Sequence, residues 1–219
     1  MASGFPGSID SFTNPLTTSA LNSPSHAGQH QDLNDAVNKI ENYMGLVKVI
    51  PTSVVNGLVS STGTVTATGG LATLSVNGCF TSVYANYRIE IVAVISTGAD
   101  VRLKYRASGT DEATSHYGAS SRTQPNSASV TVNQNNGNAY YLIADSSTSA
   151  DCRGNLEIFS PQLAVATYAT HQATTVGATM YHFVGGDIHN TASAYDGFTF
   201  YPSTGTITSA TIRIYGYRN

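Results

Sequence analysis

A narrow stripe of apolar residues lies near the start of the chain. Its members recur at intervals of four, three and four residues and are Leu33, Val37, Ile40 and Met44. The residues between them are mostly polar, so the stripe predicts a short amphipathic helix over residues 26–46. Because the stripe has heptad spacing, we expect it to pack against identical helices from other chains. Packing on the chain's own β body is the alternative.

From residue 47 onward, short runs of β-branched and apolar residues alternate with turn residues. The clearest runs are Thr64–Thr68, Leu71–Val76, Tyr87–Ser96, Val101–Ala107, Ala128–Asn133, Ala139–Ala144, Asn155–Phe159, Leu163–Thr170, Met180–Val184, Gly197–Tyr201 and Thr206–Tyr217. Many short strands with no helices between them are typical of a sandwich, a jelly roll or a barrel. We predict a mainly β fold, in which residues 47–219 form an antiparallel jelly-roll-like β-sandwich.

Glycine and asparagine sequences predict turns between these runs. They are Gly69-Gly70, Asn77-Gly78, Asn136-Gly137-Asn138 and Gly185-Gly186. Asn77-Gly78 is a typical two-residue hairpin turn. The stretch Thr110–Ser121 is expected to be irregular or to add a helical turn. In the last run, Ile212, Ile214 and Gly216 share one face, which predicts a strand held in a sheet.

Residues 1–25 differ from both of these regions. They show no periodicity, and they contain Pro6, Pro15 and Pro24 among many small polar residues. This composition predicts an extended arm that has no core of its own. Such an arm is either disordered or laid along a partner.

Composition narrows the classes of partner. Only 11% of the residues are charged, and 41% are hydrophobic, so a sizeable core can form. The chain has 13 acids and 10 bases, and four acids and one base precede residue 46, which leaves a neutral body. A nucleic-acid-binding domain normally carries a basic patch or stripe. We therefore predict no nucleic-acid partner.

Two further features concern compartment and cysteine chemistry. The start of the chain has no basic and apolar leader, and the longest apolar stretch, from Ile89 to Ile95, includes Glu90 and is too short to cross a bilayer. We expect synthesis in a cytoplasm without membrane insertion.

Cys79 and Cys152 are interpreted as buried small hydrophobic residues, with a disulfide as the alternative.

The front of the chain resembles a known class of leader. The segments are FPGSIDSFTNP at residues 5–15, LNSPSHAGQH at 21–30 and LNDAV at 33–37. They are similar to the N-terminal leader of tailed-bacteriophage virion proteins, namely minor tail, fibre-like or head-fibre proteins. The final segment GTITSATIRIYGY at 205–217 is similar to the closing strand of the same proteins.

The resemblance implies a homotrimer in the virion, with an arm that grips other virion proteins and a β knob that is displayed. The arm residues implied in attachment are Phe5, Pro6, Ile9, Phe12, Pro15 and Leu21. The stripe residues would then form the trimer interface. A host cell-surface glycan is an open partner for the knob, with no ligand-binding residues assigned. A head-fibre or decoration protein without a receptor role is the alternative.

Candidate chemistry is sparse. The chain contains no phosphate-binding loop, metalloprotease motif or nucleophile elbow. A glycan-cleaving spike needs two carboxylates in a cleft, and most acids of the body fall in predicted turns. Glu90 is interpreted as an outward-facing charge on a half-buried strand. We predict no enzymatic activity, no catalytic residues and no cofactor.

Two histidine pairs could bind a metal in principle. His26 and His30 have the i, i+4 spacing of one helical face. A solvated helix start or a polar layer is the simpler interpretation. His182 and His189 flank Gly185-Gly186 and are interpreted as surface loop histidines. We therefore predict no metal site.

Overall fold

The computed structural model describes residues 26–43, 45–113, 116–125, 127, 130–145 and 150–217. The predicted attachment residues Phe5, Pro6, Ile9, Phe12, Pro15 and Leu21 and the stripe residue Met44 lie outside these residues. The chain divides into two units, one that contains the helix and one that spans Leu46–Tyr217.

The first unit contains the predicted helix. Helix α1 runs from His26 to Tyr43, in agreement with the heptad spacing. Leu33, Val37 and Ile40 of the apolar stripe are 53%, 43% and 41% exposed. Gly45 follows with a φ of 89°, a left-handed conformation that favours glycine and ends helices.

The second unit is a β body. Its described residues form the strands β1 (Leu46–Lys48), β2 (Ser53–Val55), β3 (Leu58–Val59), β4 (Thr64–Leu71), β5 (Leu74–Asn77), β6 (Asn86–Ile95), β7 (Val101–Ala107), β8 (Thr110–Asp111), β9 (His116–Thr123), β10 (Thr131–Asn138), β11 (Tyr141–Ala144), β12 (Ala150–Phe159), β13 (Val165–Val176), β14 (Met180–Ser193), β15 (Gly197–Pro202) and β16 (Ile207–Tyr217). The predicted mainly β fold is confirmed.

The strands form two antiparallel sheets. The larger has the order β10-β9-β14-β13-β12-β6-β16-β4-β3, with β1 also paired to β16. The smaller has the order β11-β7-β15-β5-β2, with β8 paired to β7. Their buried residues form one core, an arrangement consistent with a β-sandwich.

Eight strands pair in a nested way. β4 pairs with β16 and β6 with β12 in the larger sheet, whereas β5 pairs with β15 and β7 neighbours β11 in the smaller sheet. We call β4–β7, β11, β12, β15 and β16 the frame. The strands β9, β10, β13 and β14 arise from two insertions into it and extend the larger sheet beyond β12. We call these four strands the wing.

The frame has an apolar interior. Alternate residues of β6 and β16 point inward, and the fully buried side chains of the frame include Tyr87, Ile89, Ile91, Leu103, Phe198, Phe200, Ile212 and Ile214. Burial of each such side chain contributes about 1.5–3 kcal/mol. The predicted inward face of the last strand and its pairing into a sheet are confirmed.

One turn prediction and one strand prediction are wrong because the chain crosses between sheets. Asn77-Gly78 does not form a hairpin turn, since β5 lies in the smaller sheet and β6 in the larger. The predicted strand Leu71–Val76 is two strands in different sheets, separated by Ala72 and Thr73.

Three further predictions, in or next to the wing, are also wrong. The described part of Thr110–Ser121 is mostly strand rather than irregular or helical, because it contains β8 and most of β9. Asn136-Gly137-Asn138 lies within β10, where the register shifts at a bulge. Gly185-Gly186 lies within β14, where a Cβ on Gly185 would be 2.5 Å from the carbonyl oxygen of Ala119. The glycine is needed for close strand packing rather than for a turn.

Candidate functional site

A row of four polar residues crosses the outer face of the larger sheet. Gln172 of β13 lies opposite Asn155 of β12, Asn155 opposite Glu90 of β6, and Glu90 opposite Arg213 of β16. Residues directly opposite on antiparallel strands have Cβ atoms about 4.5–5.5 Å apart. We call these four residues the polar row.

Charged side chains flank the polar row on both sides. Arg88 lies between two acids, with its Nε 3.9 Å from Glu90 Oε1 and its Nη1 3.7 Å from Glu157 Oε1. On the other side, Arg153 Nη2 lies 2.8 Å from Asp151 Oδ2. Exposed pairs of this kind contribute about 0–1 kcal/mol each, so they are weak stabilising features.

The polar row lies in two adjoining depressions of the sheet surface. One of about 380 Å³ reaches from Arg213 to His182, and the other, of about 310 Å³, lies over Glu157 and Thr170. Asn155 and Gln172 line both depressions. We call the two depressions the outer groove. Its size is within the range of about 300–1,000 Å³ typical of small-molecule sites.

Aromatic residues border one end of the outer groove. Tyr215 of β16 lies opposite Arg88, and the exposed Phe159 and Tyr168 lie opposite each other on β12 and β13. Tyr217 donates a hydrogen bond from its hydroxyl to Glu157 Oε2 at 2.5 Å. The groove therefore combines planar polar groups with aromatic faces.

The inner face of the wing carries a different cluster. The imidazole of His116 in β9 lies between two carboxylates, with Nδ1 2.5 Å from Asp187 Oδ2 and Nε2 2.7 Å from Glu112 Oε1. The side chains of His116 and Asp187 are fully buried, and that of Glu112 is 8% exposed. We call these three residues the buried triad. A solvent-borne ligand cannot reach it in this conformation.

Burial and charge act together on the buried triad. Burial by itself lowers the pKa of His116, but its hydrogen bonds to Asp187 and Glu112 outweigh that effect and raise the pKa above 6.5. Burial raises the pKa of both Glu112 and Asp187, although the hydrogen bond to His116 opposes this. The folded triad therefore holds its protons more tightly than the unfolded chain does.

Stacked rings surround His116. Its ring lies 4.6 Å from that of His189 with an angle of 11° between the planes, and Tyr105 and Tyr195 extend the stack. Glu112, His116 and His189 offer ligand atoms within 4.8 Å of one another. However, an imidazole binds a metal in its own ring plane, and two stacked parallel rings do not converge on one ion. The geometry favours proton sharing over metal binding.

A second buried histidine has the opposite behaviour. His171 of β13 hydrogen bonds through Nδ1 to the Tyr141 hydroxyl at 2.5 Å and through Nε2 to the Ser120 hydroxyl at 3.2 Å. Neither partner is charged, so burial lowers the pKa of His171 to about 4. His171 is therefore neutral near pH 7, whereas His116 is poised to carry a proton.

The structure places the residues singled out from the sequence in different regions. Glu90 faces outward, as predicted, and lies in the polar row. His182 is exposed on the outer face, but His189 is buried on the inner face. The prediction that both are surface loop histidines is wrong, because both lie within the continuous strand β14. Their odd spacing of seven residues places them on opposite faces, so only His182 is on the surface. Of the His26 and His30 pair, the side chain of His26 lies outside the described residues.

The cysteines are buried and free, as predicted for small hydrophobic residues. Burial raises the pKa of Cys152 to about 12, which keeps its thiol protonated and unreactive. The stripe residues Leu33, Val37 and Ile40 lie on α1, and both clusters belong to the other unit. Their role in a trimer interface stays a prediction.

Sequence reasoning missed the polar row and the buried triad. Asn155, Gln172 and Arg213 become neighbours only through the strand register, which no local pattern specifies. For the triad there was a weak signal, because Asp187 and His189 are two residues apart and therefore share one face of a strand.

Comparisons with known proteins do not assign the chain to a family. No protein-family model matches the chain, and no curated protein matches it significantly. Among the described residues, no helix has the length and apolar character needed to cross a membrane.

Proposed function

We propose that this chain is a structural protein of a bacteriophage virion that forms a trimeric fibre or knob. The observation that carries the proposal is the nested pairing of the frame. The first frame strand pairs with the last, the second with the seventh, and so on inward, with successive pairs in alternate sheets. This order supports a jelly roll, an architecture used in viral capsid and lectin domains.

The exposed stripe of α1 supports the trimeric part of the proposal. Leu33, Val37 and Ile40 are exposed, and large apolar residues at heptad spacing gain stability when they are covered. A helix of 18 residues is marginal in isolation. Association of three copies covers the stripe and stabilises the helix at once.

Leader-like segments support a place in the virion. The arm over residues 1–25 would bind other virion proteins, and the helices would join three arms into one attachment. Three linked contacts bind far more tightly than one, because the second and third are intramolecular. A head-fibre or decoration protein is the alternative within the same class.

The trimer is tested by the mass of the full chain in solution. We expect light scattering to give three times the 22.9 kDa chain mass. The double substitution Val37→Asp with Ile40→Asp should give a monomer, because it places charges in the apolar seam. The matched control, Asn34→Asp with Asn38→Asp, changes exposed polar positions of the same helix and should stay trimeric. A stable monomer of the unmodified chain at micromolar concentration contradicts the trimer.

The virion role is tested on assembled particles. We expect antibody labelling and electron microscopy to find the unmodified chain on the particle and to lose it when residues 1–25 are deleted. The position of the label then distinguishes a tail fibre from a head fibre. Absence of the unmodified chain from purified particles contradicts the proposal.

A further inference from the structure

We propose that the outer groove binds an uncharged, hydroxyl-rich glycan. The inference rests on the proposed function, in which the β body is displayed on the particle surface. It assigns a ligand class to the polar row, which the fold alone does not require.

The hydrogen-bonding capacity of the polar row matches hydroxyl groups. Each sugar hydroxyl both donates and accepts, and the amides of Asn155 and Gln172 do the same. Arg213 supplies donors, and Glu90 supplies acceptors. Within the described residues, the side chains of Asn155, Gln172 and Arg213 make no hydrogen bond or ion pair, so they are available to a ligand.

The charge of the outer groove argues against a polyanion. Arg88, Arg153 and Arg213 are balanced by Glu90, Glu157 and Asp151, which lies against Arg153. A site for a phosphate or carboxylate polymer needs an excess of positive charge that releases counterions. A balanced groove favours a ligand with dipoles and no net charge.

The shape fits an extended ligand. Neighbouring strands are about 4.8 Å apart, so a row across four strands is roughly 14 Å long and can contact several sugar units in succession. At its border, Tyr215 and the exposed Phe159 and Tyr168 offer apolar faces to the C–H surfaces of sugar rings. The core of a protein–protein interface is instead depleted in charged residues, which disfavours a second copy of the chain as the occupant.

The test measures binding of defined probes to the full chain by calorimetry. The probes are maltohexaose, cellohexaose and chitohexaose, with inorganic polyphosphate as the anionic probe. We expect at least one hexasaccharide to bind with a micromolar to millimolar Kd and polyphosphate not to bind. Asn155→Ala combined with Gln172→Ala should weaken that binding about tenfold or more. The matched control, Gln134→Ala with Asn136→Ala on exposed positions of β10, should leave it unchanged.

Three binding results would overturn the inference: no hexasaccharide binds, polyphosphate alone binds, or the groove variant binds as well as the control. Light scattering on the same samples distinguishes failure of the trimer from failure of the glycan site. A monomeric unmodified chain that still binds glycan contradicts only the trimer. A groove variant that loses its trimer shows that another copy of the chain occupies this face, which also overturns the glycan site.

Discussion

The wing and half of the frame strands share the larger sheet, but the interiors of the frame and the wing are chemically different. Among the described residues, the frame strands bury mostly aliphatic and aromatic side chains, with Ser75, Arg106 and Thr199 as the polar exceptions. The wing strands bury more polar than apolar side chains, namely His116, Ser120, Thr167, His171, Thr175, Asp187 and His189 against Ala169, Ala173 and Phe183. Strand pairing is continuous across the boundary at β12 and β13.

This difference teaches that a continuous sheet need not be uniformly stabilised. Apolar burial is insensitive to pH, whereas a buried polar network depends on the protonation of its members and on complete hydrogen bonding. One oxygen each of Glu112 and Asp187 is buried without a hydrogen bond from the described residues. We therefore expect the wing to be the less stable region and the one that responds to pH.

The largest effect should come from the frame. Phe198 is fully buried on β15, so Phe198→Ala removes apolar contacts and leaves a cavity. We expect a loss of about 4 kcal/mol in the free energy of unfolding, measured by chemical denaturation. Val132→Ala, at an exposed position of the wing, is the control and should change it by less than about 0.5 kcal/mol. An equal loss in both variants would contradict a core centred on the frame.

The buried triad should give the next largest effect, confined to the wing. His116→Ala leaves two buried carboxylates facing each other, and we expect it to cost about 3 kcal/mol. Hydrogen exchange should show lost amide protection in β9 and β14 while β6 and β16 stay protected. His182→Ala, on the exposed face of β14, is the control. Equal loss of protection in the frame strands would show that the two regions unfold together.

The next effect should come from Gly185, where substitution tests whether the glycine is needed for close strand packing or for its conformational freedom. A Cβ on Gly185 would lie 2.5 Å from the Ala119 carbonyl oxygen and 2.7 Å from His171 Cε1, so Gly185→Ala forces the wing strands apart. We expect a loss of about 2 kcal/mol by thermal or chemical unfolding. Gly186→Ala next to it meets its nearest atom at 3.2 Å and should cost clearly less. Equal costs would contradict a steric origin.

The smallest effect should be a stability maximum near pH 6.5–7. The raised pKa of His116 gives stability that is present below pH 6.5 and is lost as pH rises through its folded value. The lowered pKa of His171, about 4, gives stability that is present above pH 6.5 and is lost as pH falls. As pH falls below 6.5, the raised pKa values of Glu112 and Asp187 offset part of the second loss. We expect the free energy of unfolding to fall by a net amount on the order of 1 kcal/mol between pH 6.5 and 5.5.

Substitution of His171 tests which group causes the loss of stability below pH 6.5. His171→Gln should flatten the loss of stability below pH 6.5, and the exposed His182→Gln should leave it unchanged. Denaturation curves measured across this pH range provide the comparison. If the loss of stability below pH 6.5 persists in His171→Gln, another group causes it.

The frame was more predictable from the sequence than the wing. Tyr87–Ile91 of β6 and Ala210–Ile214 of β16 alternate between apolar inward and polar outward residues, which is the period-two signal of a half-buried strand. In β9 the inward residues are His116 and Ser120, so the apolar alternation is absent and the strand was missed. A strand whose inward residues are polar cannot be recognised from hydrophobic alternation.

The candidate site depended on information that local sequence does not contain. The outward direction of Glu90 follows from alternation within β6, but its neighbours come from strands more than 60 residues away in the chain. Register, set by the insertions and the nested pairing, decides which side chains meet. The same holds for the buried triad, whose members come from β9, β14 and the segment before β9.

The position of β16 has a consequence for synthesis. This strand is made after all the other described strands, yet it lies inside the larger sheet, between β4 and β6. Until residues 207–217 have left the ribosome, β4 and β6 each present an unpaired edge that is open to aggregation. Closure of the sheet therefore waits for the end of translation of this region. A chain interrupted before residue 207 keeps both edges unpaired, so quality control has a direct structural signal of an interrupted chain.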